Sequence, residues 1–193
     1  MINSILTQSA STLNQDSPAV YIACLSAYSA GFLHGTFIDA TQDPEDIREQ
    51  IQEMLSTSPV ADTEACEDWA IHDYQNFAGI TLHEYESIDY VSALANAIEE
   101  HGTPFAMYID YLYFDDVEEA ITNFEDNYCG SFESVEDYVQ EYYEQTGQLE
   151  AIEKAGLNSF YINWKAIAHD WECNSDLIFL EESHNEIHVF YNH

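Results

Sequence analysis

The chain has 193 residues, with 37 Asp and Glu against three Lys and Arg, a formal net charge of −34. Hydrophobic residues make up 46% and aromatic residues 14%, which excludes a disordered acidic tail, because such tails are poor in aromatics and bury too little apolar surface to fold. The same charge excludes attraction to nucleic acid or to an anionic membrane and points to a basic partner.

Met1 to Pro18 is rich in Ser, Thr, Asn and Gln and lacks the basic and apolar regions of a signal peptide. It reads as a flexible leader. Val20 to Leu25 is a β-rich run, and the Gly31 to Gly35 turn returns the chain to Thr36-Phe37-Ile38, so an antiparallel pair is expected. Asp43-Pro44-Glu45-Asp46 is a strong helix start, followed by Ile47, Ile51, Met54 and Leu55 at helical spacing and stopped by Pro59. An acidic connector, Asp62 to Asp68, leads to Trp69-Ala70-Ile71-His72-Asp73-Tyr74.

Ser87 is placed to cap a second helix carrying Ile88, Val91, Leu94, Ala95 and Ile98, ended by Gly102. Thr103-Pro104 restarts helix through Phe114. Val117, Ala120, Ile121, Phe124 and Tyr128 then form one apolar stripe, with acids around it and a break at Gly130. Ser134 to Asp137 is close to a capping box, with Asp where Glu or Gln is usual. Its helix is expected to bury Val135, Tyr138, Val139 and Tyr142. A further helix is expected from Asn158 to His169, and Ile178 to Leu180 with Ile187 to Tyr191 form a closing hairpin. Strands and a helix, then helices, then helix plus strands read as α+β with a helical middle.

No segment approaches the ~20 apolar residues of a membrane span, and a soluble cytoplasmic protein is expected. Cys24, Cys66, Cys129 and Cys173 never form C-x-x-C and read as free thiols of a reducing compartment. Catalytic signal is absent. Paired carboxylates are too common here to be informative, there is no phosphate-binding Gly-rich loop, and His72-Asp73 has no accompanying nucleophile motif. Glu125 to Glu136 matches a Ca²⁺ loop only loosely, with Glu125 at position 1 and Cys129 at position 5. His184 and His188 lie across a turn rather than on one helix face and read as hairpin residues, not zinc ligands. Neither catalytic residues, metal nor cofactor are therefore expected.

The charge itself remains. From Glu49 to Glu153 there are 105 residues without Lys or Arg, containing 26 Asp and Glu, whereas ordinary surfaces intersperse both signs. Halophilic adaptation would spread acids over the whole chain and leaves the 14 Tyr unexplained. Imitation of nucleic acid accounts for the run better. B-DNA carries one charge per ~1.7 Å of axis, so 34 charges correspond to about 58 Å, or roughly 17 base pairs. A compact globule of this length is only ~40 Å across, so matching DNA's charge density calls for an elongated molecule.

Five stretches carry a resemblance to a known family: Val20 to Ala40 (VYIACLSAYSAGFLHGTFIDA), Trp69 to Phe77 (WAIHDYQNF), Glu141 to Leu149 (EYYEQTGQL), Tyr161 to Glu172 (YINWKAIAHDWE) and the closing IHVFYN. In this order they resemble the ArdA antirestriction proteins, from Val20 to the C-terminus. The resemblance implies an elongated homodimer of three small domains, carried by mobile genetic elements. After the leader at 1–18, which lies outside the resemblance, these domains map here to an α+β domain at 19–84, a central helical domain at 85–127 and a C-terminal α+β dimerisation domain at 128–193. It also implies no enzymatic activity, mimicry of bent B-form DNA, and a partner in the specificity–methyltransferase core of type I restriction–modification enzymes. The expected phosphate-mimicking acids are Asp110, Asp115, Asp116, Glu118, Glu119, Glu125, Asp126, Glu133, Glu136, Asp137, Glu141 and Glu144. Two other readings stand beside this one: a general acidic sink for basic DNA-binding proteins such as nucleoid proteins, and an acidic metal-binding protein.

Overall fold

The computed structural model describes residues 16–114, 116–174 and 176–192. Residues 1–15 of the expected leader, and Asp115, lie outside the described residues. The chain separates into two compact units, one reaching to Ala106 and including a short segment that ends at Glu118, the other comprising Met107–Phe114 and the chain from Glu119 onward.

The first unit is built on β1 (Ala19–Cys24), β2 (Gly35–Asp39) and β3 (Trp69–Gln75), in the order β2-β1-β3 with both pairings antiparallel. As the central strand, β1 is covered on both faces: Val20, Ile22 and Cys24 are fully buried on one, and Ala19 and Ala23 are buried on the other. This is why its sequence is a continuous apolar run and not an alternation. The expected β1–β2 pair forms with Val20 opposite Ile38, the short helix α1 (Leu25–Ser29) lying between the strands. Gly35 opposes Ala23 where the chains approach closely. A Cβ there would sit 2.4 Å from the Ile22 carbonyl oxygen and 2.8 Å from the Tyr21 ring, so only glycine fits.

Helix α2 (Pro44–Ser56) begins as expected: Asp43 Oδ1 accepts from the Glu45 N–H at 2.9 Å, Pro44 follows, and acids occupy the first turn, where the helix dipole favours them. Its expected core residues Ile47, Ile51, Met54 and Leu55 are all buried. Helix α3 (Ile88–His101) is capped by Ser87, whose Oγ accepts from Tyr90 N–H at 3.2 Å, and it buries all five expected residues. Ser17 and Pro18, assigned to the leader from sequence, are buried. The Ser17 hydroxyl donates to Glu99 Oε1, and its carbonyl accepts from Asn76 Nδ2 at 3.0 Å.

The boundary between units falls within α4 (Thr103–Leu112), which ends two residues short of the expected Phe114, with Tyr113 in the left-handed region at φ +56°. The second unit contains most of α5 (Val117–Asn127), the sheet β4 (Tyr128–Phe132), β6 (Glu186–Tyr191) and β5 (Leu177–Ser183) in the antiparallel order β4-β6-β5, and helices α6 (Val135–Gln145), α7 (Gln148–Lys154) and α8 (Trp164–Asn174). Central β6 is again covered on both sides. Val189 packs with Tyr138 and Val139 of α6 and Ala168 of α8. On the opposite face the Phe190 ring lies 4.7 Å from that of Tyr108 and 5.9 Å from that of Phe124.

Two further expectations are corrected. Tyr128 opens β4 instead of closing the α5 stripe, because the segment pairs with β6; Gly130, at φ +125°, follows a bulge in that pairing and does not end a helix there. The helix expected at Asn158 to His169 is divided. Asn158 caps a 3₁₀ turn at Ser159–Tyr161, and Asn163 Oδ1 accepts from Ala166 N–H at 3.1 Å to start α8 separately. Trp69 to Tyr74, given no secondary structure from sequence, is strand β3. The overall class is as expected: α+β, with eight α-helices and two antiparallel three-stranded sheets among the described residues.

Candidate partner-binding surface

The acidic run is displayed by helices whose apolar sides are buried. On α5, Val117, Ala120 and Phe124 are buried and Ile121 half-buried, while Glu119, Glu125 and Asp126 of the second unit are exposed. On α6, Tyr138 and Val139 are buried, Val135 and Tyr142 are half-buried, and Asp137, Glu141 and Glu144 face solvent. Glu133 and Asp110 are exposed as well, and Glu136 is half-buried. In the first unit, Asp116 and Glu118 are exposed. Every expected acid among the described residues is thus accessible, fully or in part.

Local geometry fixes where these carboxylates stand. Ser134 caps α6: its Oγ accepts from Asp137 N–H at 3.2 Å and donates to Asp137 Oδ2 at 2.5 Å. The shorter Asp side chain bonds the cap hydroxyl, where the Glu of a full capping box would reach back to the cap N–H. Asp137, Glu141 and Glu144 follow at i, i+4 and i+7 and form one ridge. With Glu136 the four acids span nine residues, about 12 Å over eight steps of 1.5 Å, or on average one charge per ~4 Å. A single strand of duplex DNA carries one per ~3.4 Å of axis. Averaged along the helix, the acids are therefore within about an ångström of the axial spacing of phosphates, in uneven steps of about 1.5, 6 and 4.5 Å.

The chain's few cations compensate acids elsewhere. Arg48 donates to Glu45 Oε1 at 2.8 Å and to Asp89, and holds the Asp89 carboxyl below its ordinary value through that hydrogen bond. Lys154 pairs with Glu150 at 2.6 Å. Since 37 acids face three Lys and Arg, the surface keeps its negative charge whichever further pairs form.

The structure also answers the discarded chemistries. Glu125 to Asn127 belong to α5 and Tyr128 to Phe132 to β4, so this segment does not form a cation-binding loop. His72 stands on the accessible side of β3, with Nε2 3.9 Å from Glu84 Oε1 and its ring edge-on to Tyr28 at 5.0 Å. The four cysteines are free, Cys24 buried and Cys173 exposed. No helix among the described residues is long and apolar enough to cross a membrane.

Sequence reasoning left out a second acidic ridge. Asp46, Glu49 and Glu53 are exposed on the outer side of α2 at i, i+3 and i+7, opposite its four buried apolar residues. That spacing was available from the periodicity of the helix.

The sequence model of one protein family, described as Antirestriction protein (ArdA), matches residues 20–186. No curated protein matches the chain.

Proposed function

The chain belongs to the ArdA family of antirestriction proteins, and from that premise we propose that it counteracts restriction by presenting an extended acidic surface in place of B-form DNA. The target is the DNA-binding groove of a type I restriction–modification enzyme, formed by its specificity and methyltransferase subunits. The chain acts there as an occupant and catalyses nothing. The observation that carries this reading is the acidic face of α6, with Asp137, Glu141 and Glu144 exposed in one row and, counting the half-buried Glu136, an average of one charge per ~4 Å of axis, near that of a DNA strand.

A groove that binds DNA through Lys and Arg gains counterion release from such a surface as it does from DNA. The acids offer no base edges, so the enzyme is held without a sequence to read. The proposal extends to an elongated three-domain protomer divided at 19–84, 85–127 and 128–193, to a homodimer joined through the last of these, and to action in the cytoplasm of a cell carrying the mobile element.

Binding of the full chain to a purified type I methyltransferase is expected to weaken steeply with salt. The logarithm of affinity should fall linearly with the logarithm of salt concentration, by about 0.9 for each acid engaged. Fluorescence anisotropy across a salt series measures this slope. An affinity that is flat across the series overturns the reading. Equal affinity for nucleoid proteins and for the methyltransferase would favour the general acidic sink.

A further inference from the structure

The tip of the β5–β6 hairpin gathers three groups that no part of the antirestriction reading uses. Glu182 comes from β5, and Glu186 and His188 from β6; one ligand-type atom from each lies within 4.8 Å of the other two. The backbone delivers them. Leu180 opposes His188 and Ser183 opposes Glu186, and a register shift between Glu181 and Ser183 leaves Glu182 as the extra residue at the turn. Glu186 and His188, two apart on one strand, project from the same face.

We propose that Glu182, Glu186 and His188 bind a divalent transition ion, with zinc the best fit. The donor set is one imidazole nitrogen and two carboxylate oxygens, three protein ligands that leave a fourth tetrahedral position to water. The imidazole selects against Ca²⁺ and Mg²⁺, which take oxygen ligands.

The strongest support lies outside the three residues. His188 is 2% exposed, and its Nδ1 is engaged by the Tyr128 hydroxyl of β4 at 3.2 Å. That contact turns Nε2 toward the carboxylates, where it lies 2.6 Å from Glu182 Oε2. Ser131, also of β4 and opposite His188 in register, donates its hydroxyl to Glu186 Oε1 at 3.0 Å. Two of the three ligands are thus oriented by side chains of a neighbouring strand, the arrangement by which proteins fix metal ligands in advance. Charge repulsion adds a reason. Two carboxylates brought together in a protein of net charge −34 repel each other, and a shared cation relieves that repulsion. A bound ion would tie β5 to β6, with the β4 hydroxyls holding the two β6 ligands.

The test is calorimetric titration of the metal-free full chain with zinc chloride, in a large excess of magnesium to occupy diffuse acidic sites. One zinc per chain is expected. Cobalt(II) titrated in its place should give the intense visible bands of a four-coordinate ion with a nitrogen ligand. Glu186→Gln and Glu182→Gln are exposed substitutions that leave the fold intact, and each should weaken zinc binding by at least about tenfold. Ser131→Ala should cost about tenfold, the low end for an outer partner of a metal ligand. The double variant Glu141→Gln/Glu144→Gln, which removes more charge from another surface, should bind zinc as the parent does. Absence of a stoichiometric site in the parent overturns the proposal. So does a loss in Glu141→Gln/Glu144→Gln equal to that in Glu186→Gln, because zinc would then be held by diffuse charge.

Discussion

Replacing Glu133, Asp137, Glu141 and Glu144 together by their amides is expected to lower the affinity for a type I methyltransferase about a thousandfold, while any one replacement costs about fivefold. The figures follow from counterion release. Each engaged charge contributes a slope of about 0.9, so moving from 1 M to about 0.15 M salt strengthens binding roughly fivefold per contact, and four independent contacts multiply. All four residues are exposed, and exposed substitutions change stability by about 0.5 kcal/mol or less. Asp137→Asn keeps an oxygen that can accept from the Ser134 hydroxyl, so the α6 cap is retained. Circular dichroism and thermal melts of the variants check that point. The expected pattern is distributed: small single effects and a large block effect. A single acid whose loss alone abolished binding would contradict a phosphate-like surface, as would a fourfold variant that lost less than about tenfold.

Phe190→Ala is expected to be the most damaging single change in the second unit, at about 3–5 kcal/mol, measured by urea unfolding. Phe190 is fully buried on the central strand β6. Its ring meets Tyr108 at 4.7 Å, Tyr128 at 5.1 Å and Phe124 at 5.9 Å. The truncation therefore opens a cavity among groups from α4, α5 and β4 at once, and removes several aromatic contacts each worth up to about 1.5 kcal/mol beyond area. Whole domains are stable by only about 5–15 kcal/mol, so the variant should be near the limit of folding. Phe160→Ala removes a ring of the same size that is 86% exposed and should change stability by about 0.5 kcal/mol at most. Equal losses in the two variants would mean that the Phe190 cluster is not the core of this unit.

The sequence carried those features whose causes are local. Asp43, Ser87 and Ser134 were legible as caps because a cap is decided within three residues of chain. The buried faces of α2 and α3 were legible because an apolar stripe at helical spacing has one physical meaning. The same logic made the acidic surface legible, since a helix with one buried face must turn its acids the other way. What escaped detection depends on partners far away in the chain. Strand β4 is specified by pairing with β6, and its Tyr128 meets His188 across 60 residues, which no local window reveals. Helix α7 has seven residues, none buried, so it leaves almost no periodic signal. His188 read as an ordinary hairpin histidine because the groups that orient it, Tyr128 and Glu182, reach it only through sheet register and a bulge at the turn.

Charge alone would suit a sink for any basic protein, and apolar periodicity alone would suit any small α+β fold. Their combination within one antirestriction family is what directs the reading to a DNA groove. The most direct measurement is competition: a labelled DNA duplex is bound to a purified type I methyltransferase and the full chain is titrated in at moderate salt. Complete displacement of the duplex is expected near stoichiometric amounts, with the displacement lost in the fourfold amide variant. A duplex that stays bound under a large molar excess of the chain would contradict it.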